Sequence, residues 1–494
     1  MSPKAGAWRA RSSAPTWTPD FGTTAPRFGT DGWRGVIAED FTFANVERVA
    51  QATAGLWSEE QSPDRRRLVV IGYDRRFLSA EFAARAAEVF AGNEFAVVLT
   101  PAPTPTPAVS LAVKQLHAAG GVMITASHNP AHFNGFKLKA GYGGSADAAL
   151  CQAVEARLDQ APVRRMPLDQ ARRAGLVRLR DLRPAHYRAV KRLVRFADVA
   201  AARLRVAHDA MFGVGAGCFE ALLAGTTCRV TTLRGGHDPL FGGIRPEPIP
   251  QFYAETVAWL RAHRQDVCLV SDGDADRLGG LDERGRPLTT HQIIALVLWH
   301  LVANRGLRGT VVKSLNTTSL VDRIAAGHGL PVKVTGVGFK CLSPELLRPG
   351  VMLGVEESGS LAFPEHLPER DGLAAGMVLL ELLAWERRPL SAILRRLERD
   401  FGPHRYARLD LPCPPERVEA LLAACRRAPP GRLLGSPVVE ILDLDGVKYV
   451  ARNGAWLMLR GSGTEPLIRI YAEASTQAGA KRLVAEGAHR LRRG

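Results

Sequence analysis

The chain has no apolar run approaching the roughly 18 residues that a membrane-crossing helix needs, and even residues 293–301 are short and interrupted. A membrane-spanning role is therefore not expected. Cysteine is scarce as well: seven in 494 residues, spread from Cys151 to Cys425, an odd number with no Cys-x-x-Cys pair. Such a set builds neither a disulfide framework nor a zinc knuckle, so the expected setting is reducing and the expected location cytoplasmic. Lysine is sparse beside arginine, 10 against 55, and the basic residues are scattered. The formal charge of +16 then reads as a bias of the whole coding sequence, with a minority of arginines reserved for phosphate. No nucleic-acid motif accompanies that charge, so neither membrane nor specific nucleic acid is expected as a partner. Residues 1–26 lack periodicity and hold Asp20 as their only acid, which predicts a disordered extension.

What is present begins with length, since 494 residues exceed one hydrophobic core and call for three or four units. Residues 68–73 read as a strand. Ser79 is placed to cap a helix that buries Phe82, Ala86, Val89 and Phe90, and residues 95–99 read as a second strand. Pro101, Pro103, Pro105 and Pro107 impose an extended loop before the next helix, and residues 121–125 form a third strand. Ser127 thus follows the carboxyl end of a parallel strand, where open α/β sheets place ligands. The same alternation recurs in residues 203–270 and 310–354, each time ending in a polar cluster. Residues beyond about 406 differ and form a smaller unit. The expected division is 27–180, 200–303, 304–403 and 404–494.

Each cluster carries its own chemistry. In Asp272-Gly273-Asp274-Ala275-Asp276-Arg277, carboxylates at alternate positions of a tight loop suit one hard cation such as Mg2+. An EF-hand is the rival, but Arg277 stands where its obligatory glycine belongs. Arg277 beside metal ligands also suits a phosphoryl group neutralised from two sides. The loop Arg460-Gly461-Ser462-Gly463-Thr464 offers backbone N–H groups, two hydroxyls and a guanidinium to a phosphate dianion, and Arg469 follows on the next strand. Glu356 and Ser358 supply a carboxylate and a hydroxyl to sugar hydroxyls. Ser127 is the candidate nucleophile, with His128 and Lys137 near it either as proton carriers or as fixed charges on phosphate.

Residues 28–35, 125–130 with 134–137, 272–277, 354–359 and 460–466 occur in the order and approximate spacing of the α-D-phosphohexomutases, which the chain resembles from Arg27 onward. That resemblance implies an α/β protein of four domains: three similar βαβαβ-type mixed-sheet domains and a smaller C-terminal α+β domain, arranged around a central cleft. It implies a phosphorylated Ser127, Mg2+ held by Ser127, Asp272, Asp274 and Asp276, and Arg34, His128 and Lys137 among the catalytic residues. Arg277, Lys340, Glu356, Ser358 and Arg370 would bind substrate, and Arg460, Ser462, Gly463, Thr464 and Arg469 the distant phosphate. Within the family, Glu356-Glu357-Ser358 looks like the phosphoglucomutase branch, with glucose 1,6-bisphosphate as primer and a hexose phosphate as substrate. The same chemistry on mannose or glucosamine phosphates is the alternative, and a metal-dependent serine phosphatase a more distant one. A monomer or homodimer is expected.

Overall fold

The computed structural model describes residues 26–29, 31–59, 65–462 and 466–493. The stretch read as a disordered extension lies outside the described residues apart from Pro26, and so do Gly463 and Thr464. Four sheets organise the chain.

The first sheet contains β1 (Trp33–Val36), β2 (Arg66–Tyr73), β3 (Ala96–Leu99), β4 (Ala118–Ile124), β5 (Phe133–Ala140) and β6 (Val177–Leu179), in the order β1-β5-β4-β2-β3-β6. The second holds β7 (Arg205–Asp209), β8 (Arg229–Leu233), β9 (Val267–Ser271), β10 (Leu278–Leu281) and β11 (Pro287–Leu288), ordered β11-β10-β9-β7-β8. The third holds β12 (Thr310–Ser314), β13 (Val332–Thr335), β14 (Val351–Glu356), β15 (Ser360–Phe363) and β16 (Leu367–Arg370), ordered β13-β12-β14-β15-β16. The central strands read as apolar runs because helices cover both faces: Val69, Val70 and Ile71 on β2 and all of β9 are buried.

One rule generates all three sheets. The unit's first parallel strand lies between its second and third, and a further strand returns antiparallel beside the third: β5 on β4, β10 on β9, β15 on β14. The polar clusters that the sequence places after each last parallel strand are therefore hairpin connections. Both flanking strands fix their ends.

The fourth sheet, β17 (Arg405–Pro412), β18 (Arg432–Leu433), β19 (Ser436–Leu442), β20 (Val447–Ala451), β21 (Trp456–Gly461) and β22 (Leu467–Ala474), is antiparallel throughout in the order β17-β22-β21-β20-β19-β18. Helices Pro415–Arg427 and Gln477–Arg493 supply Leu421, Leu422, Leu483 and Val484 to its core.

The units are tied together by buried polar contacts. Asp371 caps the helix Gly372–Glu386 by accepting from Ala374 N, and its carboxylate lies 2.6 Å from His186 Nε2 and 2.9 Å from His366 Nε2, pinning helix Arg183–Leu193 to the third unit. The helix Thr290–Trp299 opens with a capping box of Thr289 and Gln292. Between the third and fourth units, Lys448 Nζ donates to Leu315 O at 2.7 Å and lies 4.1 Å over the Trp456 ring. His291 and Tyr406 meet edge to face at 4.3 Å. At this contact His291 Nε2, Tyr406 Oη, Tyr471 Oη and Glu473 Oε2 are buried without a hydrogen-bond partner among the described residues. Among the described residues no helix is long and apolar enough to cross a membrane.

One local expectation is corrected. Ser79 does not cap its helix: Leu78 occupies the cap position in a left-handed conformation, and the Ser79 hydroxyl donates to Asp74 Oδ1 at 2.7 Å. The Ser79 oxygen also accepts from Asn134 Nδ2 at 2.9 Å, so both sides of the hydroxyl are directed at buried partners and not at the helix N–H groups.

Candidate active site

Ser127 sits at the start of the β4–β5 connection, buried and in a left-handed backbone conformation at φ 53°. Such a φ is costly for a non-glycine residue and persists only when its surroundings over-determine it. They do. Thr125 Oγ1 accepts from Ser127 N at 2.9 Å and donates to Asp74 Oδ2 at 2.6 Å. Arg76 donates to four carbonyls of the same loop: Ser127 and Asn129 at 2.7 Å from Nη2, and Pro130 at 2.7 Å and Phe133 at 3.0 Å from Nη1. Gly273 of the facing loop has no room for a side chain, because a Cβ there would stand 2.5 Å from Ser127 O. The two hairpin loops therefore touch backbone to backbone.

Across that contact Ser127 Oγ donates to Asp272 Oδ2 at 2.8 Å, while Asp272 Oδ1 accepts from the backbone of Asp276 and Arg277 at 3.0 and 3.1 Å. Asp274 Oδ2 accepts from Thr106 Oγ1 at 2.6 Å and from Lys137 Nζ at 2.9 Å. Lys137 Nζ also lies 3.1 Å from Asp276 Oδ2 and 2.7 Å from Asp31 Oδ2. Arg370 reaches in from β16, with Nη2 3.1 Å from Asp276 Oδ2, an ion pair to Asp31, and its guanidinium 4.8 Å over the Phe339 ring.

The electrostatics follow from burial and crowding. Burial, then Asp274 and Asp276, push the Asp272 carboxyl well above its ordinary range. Against the opposing effect of burial, Lys137 and Thr106 hold Asp274 below its ordinary value. Likewise Asp274, Asp276 and Asp31 keep the Lys137 ammonium charged although burial opposes it. Burial and the surrounding Arg277, Arg34, Lys137 and Arg76 charges push His128 far down, so its imidazole is neutral; Nδ1 is 3.3 Å from Ser127 Oγ.

The ligand atoms of Asp272, Asp274 and Asp276 lie within 4.8 Å of one another, and Asp274 Oδ1 and Asp276 Oδ1 are buried with no hydrogen-bond partner among the described residues. Orphaned carboxylate oxygens in a like-charged cluster of hard donors fit a small divalent cation such as Mg2+.

The remaining sites expected from the sequence fall around this centre and beyond it. Arg34 Nη1 donates to Asn129 Oδ1 at 2.7 Å, and Arg277 Nε is 3.9 Å from Asp276. On the β14–β15 hairpin, Ser358 Oγ donates to Glu356 Oε2 at 3.0 Å and meets Ser360 Oγ at 2.9 Å. Lys340 is half-buried in the first turn of helix Phe339–Leu346. Arg460 belongs to the fourth unit, where its Nε donates to Asp445 Oδ1 at 2.9 Å; it faces Arg469 directly across the β21–β22 ladder, and Ser462 N closes that hairpin on Leu467 O at 2.9 Å. Burial, and after it the Asp445 charge, push the Cys341 thiol above its ordinary value, with smaller effects of Lys340, Glu356 and Arg460.

Sequence reasoning missed Asp31, Asp74, Arg76, Thr106 and Asp445. Asp74 and Arg76 carried a usable signal, since they follow β2 at the same carboxyl edge that singles out Ser127. Asp31 stood inside a loop already marked by its glycines. Asp445 had no signal beyond an Asp-Gly turn.

Models of the phosphoglucomutase/phosphomannomutase family match the chain in order: alpha/beta/alpha domain I over residues 25–164, domain II over 184–285, domain III over 289–401 and the C-terminal domain over 407–489. A phosphoglucosamine mutase of Saccharopolyspora erythraea is 30% identical over 458 residues, covering 92% of this chain and 96% of its own. A phosphoglucomutase/phosphomannomutase of Thermococcus kodakarensis is 29% identical over 456 residues, covering 92% and 96%. A crystal structure from Thermus thermophilus, named provisionally as a phosphomannomutase, superposes with a TM-score of 0.82 at 35% identity, covering 96% of this chain and all of the other.

Proposed function

The chain belongs to the phosphoglucomutase/phosphomannomutase family, a family of phosphohexomutases, and from that premise we propose that it interconverts glucose 1-phosphate and glucose 6-phosphate. The observation that carries this reading is the Ser127 hydroxyl held against Asp272 inside a carboxylate cluster, two of whose oxygens have no hydrogen-bond partner among the described residues.

In this reading Ser127 Oγ carries a phosphoryl group and gives it to the free hydroxyl of a hexose 1- or 6-phosphate. The Oγ–P bond breaks as the bond from phosphorus to the sugar oxygen forms, yielding the 1,6-bisphosphate. The intermediate then turns end over end, and its other phosphoryl group returns to Ser127. Asp272, Asp274, Asp276 and phosphoserine would hold Mg2+, which neutralises charge on the phosphoryl oxygens when bound. The acceptor hydroxyl must lose its proton, and His128, with Nδ1 beside Ser127 Oγ, is placed to take it. Lys137, paired with three carboxylates, serves as fixed charge on the phosphoryl group. Arg34, Arg277 and Arg370 surround the same point and balance the dianion. Glu356 and Ser358 would bind sugar hydroxyls, with Lys340 near the substrate phosphate. The loop at Arg460, Ser462, Gly463, Thr464 and Arg469 would grip whichever phosphate is not reacting, and glucose 1,6-bisphosphate would prime an unphosphorylated enzyme. The units taken to carry these roles are residues 27–180, 200–303, 304–403 and 404–494.

A second substrate has an observation in its favour, because a relative at 30% identity is named a phosphoglucosamine mutase. The glucose reading rests on the Glu356-Glu357-Ser358 loop. Comparing kcat/KM on glucose, mannose and glucosamine 1-phosphates, with trace bisphosphate, decides between them. The mutase reading predicts a phosphorylated Ser127 and no stoichiometric free phosphate; accumulation of phosphate would instead indicate a hydrolase.

A further inference from the structure

We propose that Asp445 is a positioning residue that sets the Arg460 guanidinium and ties it to the loop ahead of Lys340, so that two phosphate-gripping elements on different units act as one. The proposal rests on reading the Arg460 loop as the cradle of the distant phosphate.

Asp445 lies in the turn between β19 and β20, and the turn is pressed against β21. A Cβ on Gly446 would stand 2.3 Å from Leu459 O and 3.0 Å from Arg460 Cα, and Gly446 is at φ 88°, so only glycine fits. That close approach delivers the neighbouring carboxylate beside Arg460. Its two oxygens then serve two units: Oδ1 accepts from Arg460 Nε at 2.9 Å, and Oδ2 accepts from Val337 N at 2.8 Å. Val337 belongs to Gly336-Val337-Gly338, three residues ahead of Lys340.

Three physical effects converge on this carboxylate. Arg460 and Arg469 stand directly opposite each other on β21 and β22, where like charges repel, and Asp445 offsets that repulsion in the free protein. An unanchored arginine loses rotamer freedom when a ligand fixes it, and a carboxylate on Nε removes much of that loss before ligand arrives. Taking the Nε edge also leaves the Nη1 and Nη2 hydrogens for an anion, the fork geometry that phosphate prefers. The Val337 bond adds what an ordinary surface pair lacks, since any shift of the fourth unit's loop pulls on the backbone that presents Lys340.

The test uses the full chain, with the best substrate among glucose, mannose and glucosamine 1-phosphates. Asp445→Ala is expected to raise KM about tenfold with kcat within about threefold, since a contact equal in ground and transition states is lost. Asp445→Asn keeps the shape but gives each of its two donors a worse partner, and should fall between. Inhibition by inorganic phosphate should weaken in parallel, with Ser127 phosphorylation and Tm near those of the parent. In an Arg460→Ala background, Asp445→Ala should change KM by less than about threefold, because the Arg460 arm is already gone and only the Val337 arm remains. Multiplying KM effects, or a loss of Tm and kcat at constant KM, would overturn the proposal. If Arg460→Ala itself leaves KM unchanged, the cradle reading fails; if Arg460→Ala raises KM and Asp445→Ala does not, only the positioning role fails.

Discussion

Around Ser127 the charges at the centre are buried and pair across units: Lys137 of the first meets Asp274 and Asp276 of the second, and Arg370 of the third meets Asp31 of the first and Asp276. Around Arg460 the described ion pair is partly open to solvent, with side-chain exposures of 14% for Arg460 and 27% for Asp445. Under the proposed function the difference matches two demands. Phosphoryl transfer needs reacting atoms aligned to a fraction of an ångström, which a mutually locked network of charges would supply. Gripping a phosphate that leaves and returns reversed would call for contacts that open at low cost, and partly exposed ion pairs are weakened by solvent and salt.

The comparison breaks first at Ser127. Ser127→Ala should lower kcat by several orders of magnitude, measured by a coupled assay with bisphosphate present, because the covalent route depends on that oxygen. Near-normal turnover would end the phosphoserine mechanism. Next comes the buried network: Lys137→Ala leaves carboxylates unpaired and should cost about 3–5 kcal/mol in denaturant unfolding, whereas Arg460→Ala should cost less than about 1 kcal/mol. Equal losses at both places would erase the contrast. In kinetics the order reverses for binding, since Arg460→Ala should raise KM about 10- to 100-fold, more at low than at high salt, with a smaller change in kcat.

The most gradual expected effect, spread over several pH units, concerns how the fourth unit is held. Burial, then the nearby Lys313 charge, push Lys448 down to about 7, below the value of about 10.4 in an unfolded chain. Between those pH values the unfolded chain holds a proton that the folded one has shed. Stability should therefore rise with pH across that window by about 1.4 kcal/mol per unit, and level off below about 7. Lys448→Met should remove that part of the slope in parallel melts from about pH 7 to about pH 10. An unchanged slope would show that the lysine stays charged where it is buried.

Much of this was legible in the sequence because strand ends are local. Apolar runs gave β2, β9 and β12, and the polar residues that follow the last parallel strands gave Ser127, Asp272 and Glu356. What was not legible depends on partners far apart in the chain. Nothing around Lys137 announces three carboxylates from two units, and Arg76 acts through carbonyls that any residues would supply. The hairpin return of β5, β10 and β15 was hidden for another reason: Leu278–Leu281 is short, holds two glycines and is buried throughout, so it lacks the alternation of an exposed strand. Ser79 misled because capping propensity describes a helix alone, not one beginning beside a buried carboxylate.

The contact between the fourth unit and the helix Thr290–Trp299 leaves His291 Nε2, Tyr406 Oη, Tyr471 Oη and Glu473 Oε2 inside the protein without hydrogen-bond partners among the described residues. Each polar atom so buried carries a desolvation cost of about 1–3 kcal/mol. A joint lined by such atoms holds less tightly for its buried area than an apolar seam does. Tilting the fourth unit away from it would rehydrate those groups and offset part of the cost of the apolar surface exposed.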